Sequence, residues 1–365
     1  MNTAESNKMC TRCILPETTP GITFDEDNVC NYCRTYQNKT VKGEKLLLDL
    51  LNESKERSKN NKYDCMIGVS GGRDSTFLMW KLAHDYKMRV LAVHYDNPFS
   101  SDQATQNLES AAKQLGVDLV KWTYSRKNWH IDETRRALEI WSSKPSASML
   151  PIICAVCKNW WPDFFKIAKA NSISLIIIGS NQYESATFKE ASFGSARTYF
   201  NAGRILKTIA KGLSELARNP GYLRCSWTAV IRGFVLASHS SPFVRAFYHK
   251  YTVVRLFDYI EWDEKMVLDT IENNLGWSRD PQHPSPWRFD CRMDHVKKFL
   301  YKKMTGVSEL TDLFCKMIRE GKMTREEALA RLEVEDVTPR NLVDEVLGSM
   351  DLDMDSLGWK KEWFD

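Results

Sequence analysis

The sequence has no uninterrupted apolar run near the ~20 residues a membrane span needs, and no apolar segment ahead of a small-residue cleavage site at its N-terminus. A membrane-spanning chain is therefore not expected; a cytoplasmic one is. An excess of one charge is also missing. The net charge of +4, with a pI near 8.4, suits anionic small molecules and gives no reason to expect a nucleic-acid partner. Internal repeats and low-complexity segments are absent, and so are the phosphate-binding patterns G-x-x-x-x-G-K-[ST] and G-x-G-x-x-G. The ten cysteines lack the spacing of a disulfide frame and read as thiols or metal ligands. None sits in a G-x-C-x-G nucleophile turn.

What is present is organised around Asp64-Cys-Met-Ile-Gly-Val-Ser-Gly-Gly-Arg-Asp-Ser-Thr76, an apolar strand running into a turn of small residues and then a helix. Gly71 and Gly72 let the backbone bend tightly and leave its N–H groups open to a phosphate. Ser70, Ser75 and Thr76 add hydroxyls and Arg73 a forked positive charge, while the helix aims unpaired N–H groups at the same spot. This is an anion cradle. It resembles the PP-loop (S-G-G-x-D-S) of the ATP pyrophosphatase superfamily, whose members cleave ATP between the α- and β-phosphates. The resemblance implies an adenine nucleotide α-hydrolase-like fold, with Asp74 helping to position Mg²⁺. Arg73 stands where many members have Lys.

Strands expected at 64–69, 89–95, 117–123 and 174–178 alternate with helices at 75–86, 101–115, 131–142 and 158–170, which predicts an α/β fold with a parallel sheet covered on both faces. In such sheets ligands bind beyond the carboxyl ends of the strands. Those ends are Ser70–Thr76, His94–Asn97 and Gly179-Ser180-Asn181. The superfamily resemblance implies ATP contacts at Ser70, Gly71, Gly72, Arg73, Asp74, Ser75, Thr76, His94, Asp96, Gly179 and Ser180, with Arg73, Asp74 and Ser75 catalytic. Where many members carry G-H-N-x-D-D, this chain has Gly179-Ser-Asn-Gln-Tyr-Glu184, with one acidic residue in place of the pair. His94 reads equally well as a core histidine.

Cys10-x-x-Cys13 and Cys30-x-x-Cys33, separated by sixteen residues, can grip one ion in a closed tetrahedral site. A structural zinc ribbon is expected. Cys154 and Cys157, read as opening the helix that carries Trp160, Trp161, Phe164 and Phe165, could form a three-thiolate site with Cys291. That spacing resembles the iron–sulfur sites of PP-loop tRNA thiolases; a second zinc, or unligated thiols, are the alternatives. Cys65, Cys225 and Cys315 read as core residues.

The domain reading is a zinc ribbon over 1–40, a helical linker over 41–62 burying Leu46, Leu47, Leu48, Leu50 and Leu51, and a PP-loop ATP-binding domain over 63–190. A helical insert and substrate region then covers 191–303, with C-terminal helices over 304–365. From Lys189 the strand–helix alternation stops. The aromatic stretch 225–259, broken by Arg232, Arg245, His249 and Arg255, reads as a helical insert packed on the core, or as a peripheral membrane contact. Residues 261–295 gather Trp, His, Asp and Arg on loop-like backbone, and Thr324-x-x-Glu327 is a capping box.

Taken together, Cys10-Thr-Arg-Cys13-Ile-Leu-Pro-Glu-Thr-Thr-Pro-Gly-Ile-Thr-Phe24, Cys30-Asn-Tyr-Cys33 and Gly68-Val-Ser-Gly-Gly-Arg-Asp-Ser75 resemble the N-acetyl sugar amidotransferases of bacterial surface polysaccharide (lipopolysaccharide O-antigen) synthesis. The resemblance implies ATP, Mg²⁺ and Zn²⁺, a nucleotide-linked acetamido sugar as substrate, and a separate glutaminase as partner. Two other readings remain: a tRNA thiolase with a [4Fe-4S] cluster at Cys154, Cys157 and Cys291, and a non-catalytic nucleotide-binding scaffold.

Overall fold

The computed structural model describes residues 8–124, 128–184, 187–192, 202–225, 248–360 and the single positions 227, 246 and 363. Five parallel strands form its sheet: β1 Cys65–Val69, β2 Val90–Tyr95, β3 Asp118–Trp122, β4 Leu175–Ile178 and β5 Thr252–Arg255, in the order β3-β2-β1-β4-β5. Register is set by pairs such as Ile67↔Ala92 and Gly68↔Ile178. The order reverses between β1 and β4. Chains leaving those two strands diverge there, which opens a crevice at their carboxyl ends.

Alternation along β1 feeds two cores. Cys65, Ile67 and Val69 pack with Phe77, Leu78 and Leu108 on one face. Met66 packs with Trp161, Phe164 and Ile176 on the other. The helices covering the sheet are α1 Glu44–Arg57, α2 Arg73–Trp80, α3 Asp102–Leu115, α4 Trp129–Ser143 and α5 Trp161–Ala170. Further along come α6 Ala202–Arg218, α7 Glu264–Leu275, α8 Met293–Thr305, α9 Glu309–Arg319, α10 Arg325–Glu335 and α11 Arg340–Gly348. Their ends are written in the sequence. Ser101 caps α3 by accepting from the Ala104 N–H at 3.1 Å, and left-handed Gly116 closes it. Thr324 and Glu327 make both bonds of the capping box that opens α10.

The loop after β1 depends on glycine. Gly71 has φ +81°, and a Cβ there would lie 1.9 Å from the Ala104 carbonyl oxygen. Any other residue would push α3 away. A Cβ on Gly179 would come 2.9 Å from the Asp74 carbonyl oxygen, so β4 can end against the start of α2 only as glycine.

Several expectations are corrected. Leu46 and Leu48 on α1 are exposed while Leu47 and Leu51 are buried, because at 100° per residue adjacent leucines cannot share one face. Alternation does not end at Lys189: β5 adds a strand after the long connection 179–251. Residues 264–275, read as part of a loop, form α7. Cys154 and Cys157 lie in 3₁₀ turns at 147–154 and 156–159, ahead of α5 and not on its first turn. Pro151 and the turn that contains it start the bend early. Within the region read as a helical insert, Ala202–Arg218 forms α6; most of 226–247, including Arg232 and Arg245, lies outside the described residues. No helix among the described residues is long and apolar enough to cross a membrane.

Candidate functional site

A cavity of about 960 Å³ opens at the β1/β4 crevice. Its floor is the loop itself, with Ser70, Gly72, Arg73, Asp74 and Ser75 lining it, while Gly179 and Ser180 come from the end of β4. α2 begins at Gly72 with no side-chain cap, so its first N–H groups face the cavity unpaired. Ser75 Oγ accepts from the Ser70 N–H at 3.2 Å and donates to the Gly72 carbonyl at 3.0 Å, which holds the turn closed.

Asp74 is buried at the centre of this arrangement. Its Oδ1 accepts from the Trp262 indole N–H at 2.8 Å and its Oδ2 from the Asn181 amide at 2.9 Å. Asn181 is itself oriented by the Tyr183 N–H, which donates to its Oδ1 at 2.8 Å. Burial raises the Asp74 pKa, with Arg73 acting against it. Arg73 is placed differently from the sequence expectation. It is 3% exposed, ion-paired to Glu264, and stacked between Trp262 and Trp287 at 5.1 and 5.0 Å. Glu264 also pairs with Arg331 at 2.6 Å, which ties the loop to α10. Much of the Arg73 charge is thus matched, although its Nε and Nη2 have no hydrogen-bond partner at the cavity wall.

His94 is buried with Nδ1 on the Val69 carbonyl at 2.9 Å; its Nε2 lacks a partner and the residue lines the cavity. Three residues expected to contact ATP, Asp96, Thr76 and Gly71, are not among those lining the cavity. Asp96 is exposed and off the cavity wall, where its neighbour Asn97 stands instead, and the Thr76 hydroxyl donates to the Gly72 carbonyl at 3.0 Å. Thr76 shapes the loop and does not face the cavity. Gly71 also lies behind the wall, its carbonyl accepting from Trp277 Nε1 at 3.0 Å.

Acidic groups gather beside the loop. The Asp290 carboxylate lies next to Gly72, close enough that a Cβ there would sit 3.5 Å from its Cγ. Glu184 lines the cavity with its pKa pushed up to about 7, first by burial and further by Asp74 and Asp290. Because this value lies above the ordinary ~4.3, the folded chain binds the proton more tightly than the unfolded one. Stability therefore falls as pH rises from about 4 to about 7 and is flat above. In thermal melts without nucleotide or divalent cation, Glu184→Gln should raise Tm at pH 8 and leave it unchanged near pH 4. An equal shift at both values would remove Glu184 as a buried acid.

The four ribbon cysteines converge. Cys10, Cys13, Cys30 and Cys33 are buried with their sulfurs within 4.8 Å of one another, and Cys10–Cys33 and Cys13–Cys30 stand 3.9 and 3.8 Å apart. Four sulfurs ~2.3 Å from one tetrahedral ion would stand about 3.8 Å apart, so this donor set fits a single metal. Arg319 on α9 donates to Cys33 Sγ at 3.3 Å and Cys13 Sγ at 3.5 Å, which favours thiolates. α9 also reaches the loop: Lys316 Nζ donates to the Tyr183 carbonyl at 3.2 Å, one residue pair from Asp74. Tyr36 of the ribbon and Tyr183 both donate to Glu320, each at 2.5 Å.

Cys154, Cys157 and Cys291 line the same cavity as the loop. Among the described residues the ribbon is the only group whose ligand atoms lie within 4.8 Å, so these three do not converge on one ion. Burial pushes the Cys291 thiol up to about 12. Cys157 Sγ stands 3.2 Å from Nε2 of His130, a residue whose pKa burial lowers to about 4. Sequence reasoning missed His130; it named Asn181 as a strand end and Trp262, Glu264 and Asp290 only within the 261–295 stretch, without the partners they have here.

No family model matches the chain. An uncharacterized protein of Methanocaldococcus jannaschii is 28% identical over 115 residues, 30% of this chain and 41% of that protein. The chain thus spans less than half the length of that curated relative. Among solved structures, an NMN synthetase from Francisella tularensis is 14% identical, covering 85% of this chain and 94% of its own, at a TM-score of 0.37. A U34-tRNA thiolase from Methanococcus maripaludis with its [4Fe-4S] cluster is 14% identical over 88% of both chains, at 0.32. An NH3-dependent NAD synthetase from Campylobacter jejuni is 13% identical, covering 58% of this chain and 98% of its own, at 0.27. Likeness at this level assigns no function.

Proposed function

We propose that this chain is an ATP-dependent amidotransferase acting on the acetamido group of a nucleotide-linked N-acetyl sugar in surface polysaccharide synthesis. The observation that carries the ATP half is the S-G-G-R-D-S turn, with the uncapped start of α2 and the end of β4, facing one cavity at the sheet's switch point. An amide is a poor electrophile whose oxygen leaves badly. Its carbonyl oxygen attacks the α-phosphorus of ATP, pyrophosphate departs into the Ser70–Ser75 cradle, and an O-adenylyl imidate remains. Ammonia adds to the imidate carbon and AMP leaves with the former amide oxygen, giving an acetamidino group. A separate glutaminase would supply the ammonia.

Asp290 against a phosphate cradle is repulsive unless a cation lies between them. Asp74, Glu184 and Asp290 do not by themselves converge on one ion; Mg²⁺ held between one of these carboxylates and the ATP phosphates would neutralise charge on the leaving pyrophosphate. The uncapped N–H groups and Arg73 would share that task; one such donor in a dry site is worth ~3 kcal/mol. Zn²⁺ is the metal proposed for the ribbon, in a structural role, since a closed thiolate shell leaves no open position.

A second reading is favoured by one observation, the three cysteines on the wall of the loop's own cavity. A tRNA thiolase would share the adenylation step and hold an iron–sulfur cluster there, wider than a single ion. Pyrophosphate release tests both. Dependence on an acetamido sugar nucleotide plus ammonia supports the first, dependence on tRNA the second, and no turnover with either leaves a nucleotide-binding scaffold.

A further inference from the structure

Beside Glu184, on which Arg288 acts, the cavity wall changes sign. Lys189, Arg288 and Lys297 all converge on the carboxylate of Glu309: Lys189 and Arg288 form ion pairs with it, the latter at 3.0 Å, and Lys297 Nζ stands 3.9 Å away. All four residues line the cavity. They come from separate places: the short helix 187–192, the loop before α8, α8 itself and the first turn of α9. Lys297 has a second partner in Asp294 at 3.4 Å, so the three cations meet the carboxylates of Glu309 and Asp294, with Glu184 facing Arg288. Arg288 holds φ +55°, a left-handed backbone that a non-glycine residue adopts at a cost and that collects at functional sites. Tyr301 floors the patch, with the Lys189 ammonium 4.5 Å over its ring.

We propose that Lys189, Arg288 and Lys297 form a second anion subsite that receives the diphosphate of the acceptor substrate, with Glu309 holding the three cations in place. This deepens the amidotransferase reading and rests on it for the word acceptor. The ATP phosphates have their own place in the cradle of Ser70, Gly72 and Ser75. A cavity of 960 Å³ lies at the upper end of the ~300–1,000 Å³ usual for one ligand, which leaves room for a second. A diphosphate ester linked to a nucleoside and one linked to an isoprenoid offer the same oxygens to three convergent cations.

The test is calorimetric titration of the whole chain, its cradle first filled with α,β-methylene-ATP, using UDP in one arm and farnesyl diphosphate in the other. Wild type should bind one of them, and Arg288→Gln should weaken that binding about tenfold or more, as expected for a lost charge-assisted bond. Arg288→Lys should restore part of the loss, and affinity for the ATP analogue should change less than twofold in both variants. Preference for UDP marks a nucleotide-linked acceptor, and preference for farnesyl diphosphate a lipid-linked one. Binding of neither by wild type, or equal loss of ATP-analogue binding in Arg288→Gln, overturns the subsite. Pyrophosphate release is scored separately: diphosphate binding without acetamido-dependent release removes the amidotransferase reading and leaves the subsite standing.

Discussion

Asp74→Asn will stop pyrophosphate release, by about 10²- to 10³-fold or more, in a chain that still folds. The size of the activity loss follows from removing the carboxylate that would position Mg²⁺, the cation that neutralises the leaving group's developing charge. Folding survives because the substituted amide keeps the shape of the carboxylate, but not without cost. Trp262 and Asn181 both donate to Asp74, and Asn181 cannot flip because its own oxygen accepts from Tyr183. The new NH₂ group must therefore face a donor, at about 1–3 kcal/mol. Circular dichroism should show a native spectrum with Tm lowered by a few degrees. Asp74→Ala would leave both donors unpaired and is the poorer probe. Release at the wild-type rate in Asp74→Asn would falsify the assignment of the loop.

Removing the ribbon's metal should cost more stability than any single side chain in the cavity. Metal analysis is expected to give one zinc per chain at Cys10, Cys13, Cys30 and Cys33, apart from whatever the cavity cysteines hold. Structural zinc sites carry ~10–16 kcal/mol of apparent binding free energy at neutral pH, and that binding is coupled to folding. Cys10→Ser, or a strong chelator, should lower Tm by well over ten degrees, because metal binding is coupled to folding and the thiolates left without the ion, three in the variant and four after chelation, repel one another. The contrasting control is Cys225→Ser, which alters a buried thiol outside the cluster and should leave the zinc content at one. Full zinc occupancy and an unchanged Tm in Cys10→Ser would rule out the four-thiolate site.

What could be read from the sequence was local chemistry. The S-G-G-R-D-S turn, the two C-x-x-C pairs and the capping box at Thr324 each declare themselves within a few residues, since the conformation they need is met by the residue types they contain. The parallel sheet followed from strand–helix alternation. β5 did not, because Thr252–Arg255 is a half-buried edge strand of four residues ending in an arginine, with no periodicity long enough to register. The groups that complete the loop were invisible for another reason. Trp262, Glu264 and Asp290 reach Asp74, Arg73 and Gly72 across long spans of chain, and nothing local marks a glutamate on α7 as the partner of an arginine on α2. Arg73 was legible as a charge and illegible as an ion pair.

The bonds from the ribbon through α9 to Asn181 imply an order of failure. Cys13 and Cys33 share Arg319 with the helix whose Lys316 grips Tyr183, so the thiolate shell braces the Asn181–Asp74 pair from a distance. Stripping the ion at a temperature where the sheet stays intact should therefore silence turnover before any global melting is seen, and adding it back should revive the enzyme without refolding.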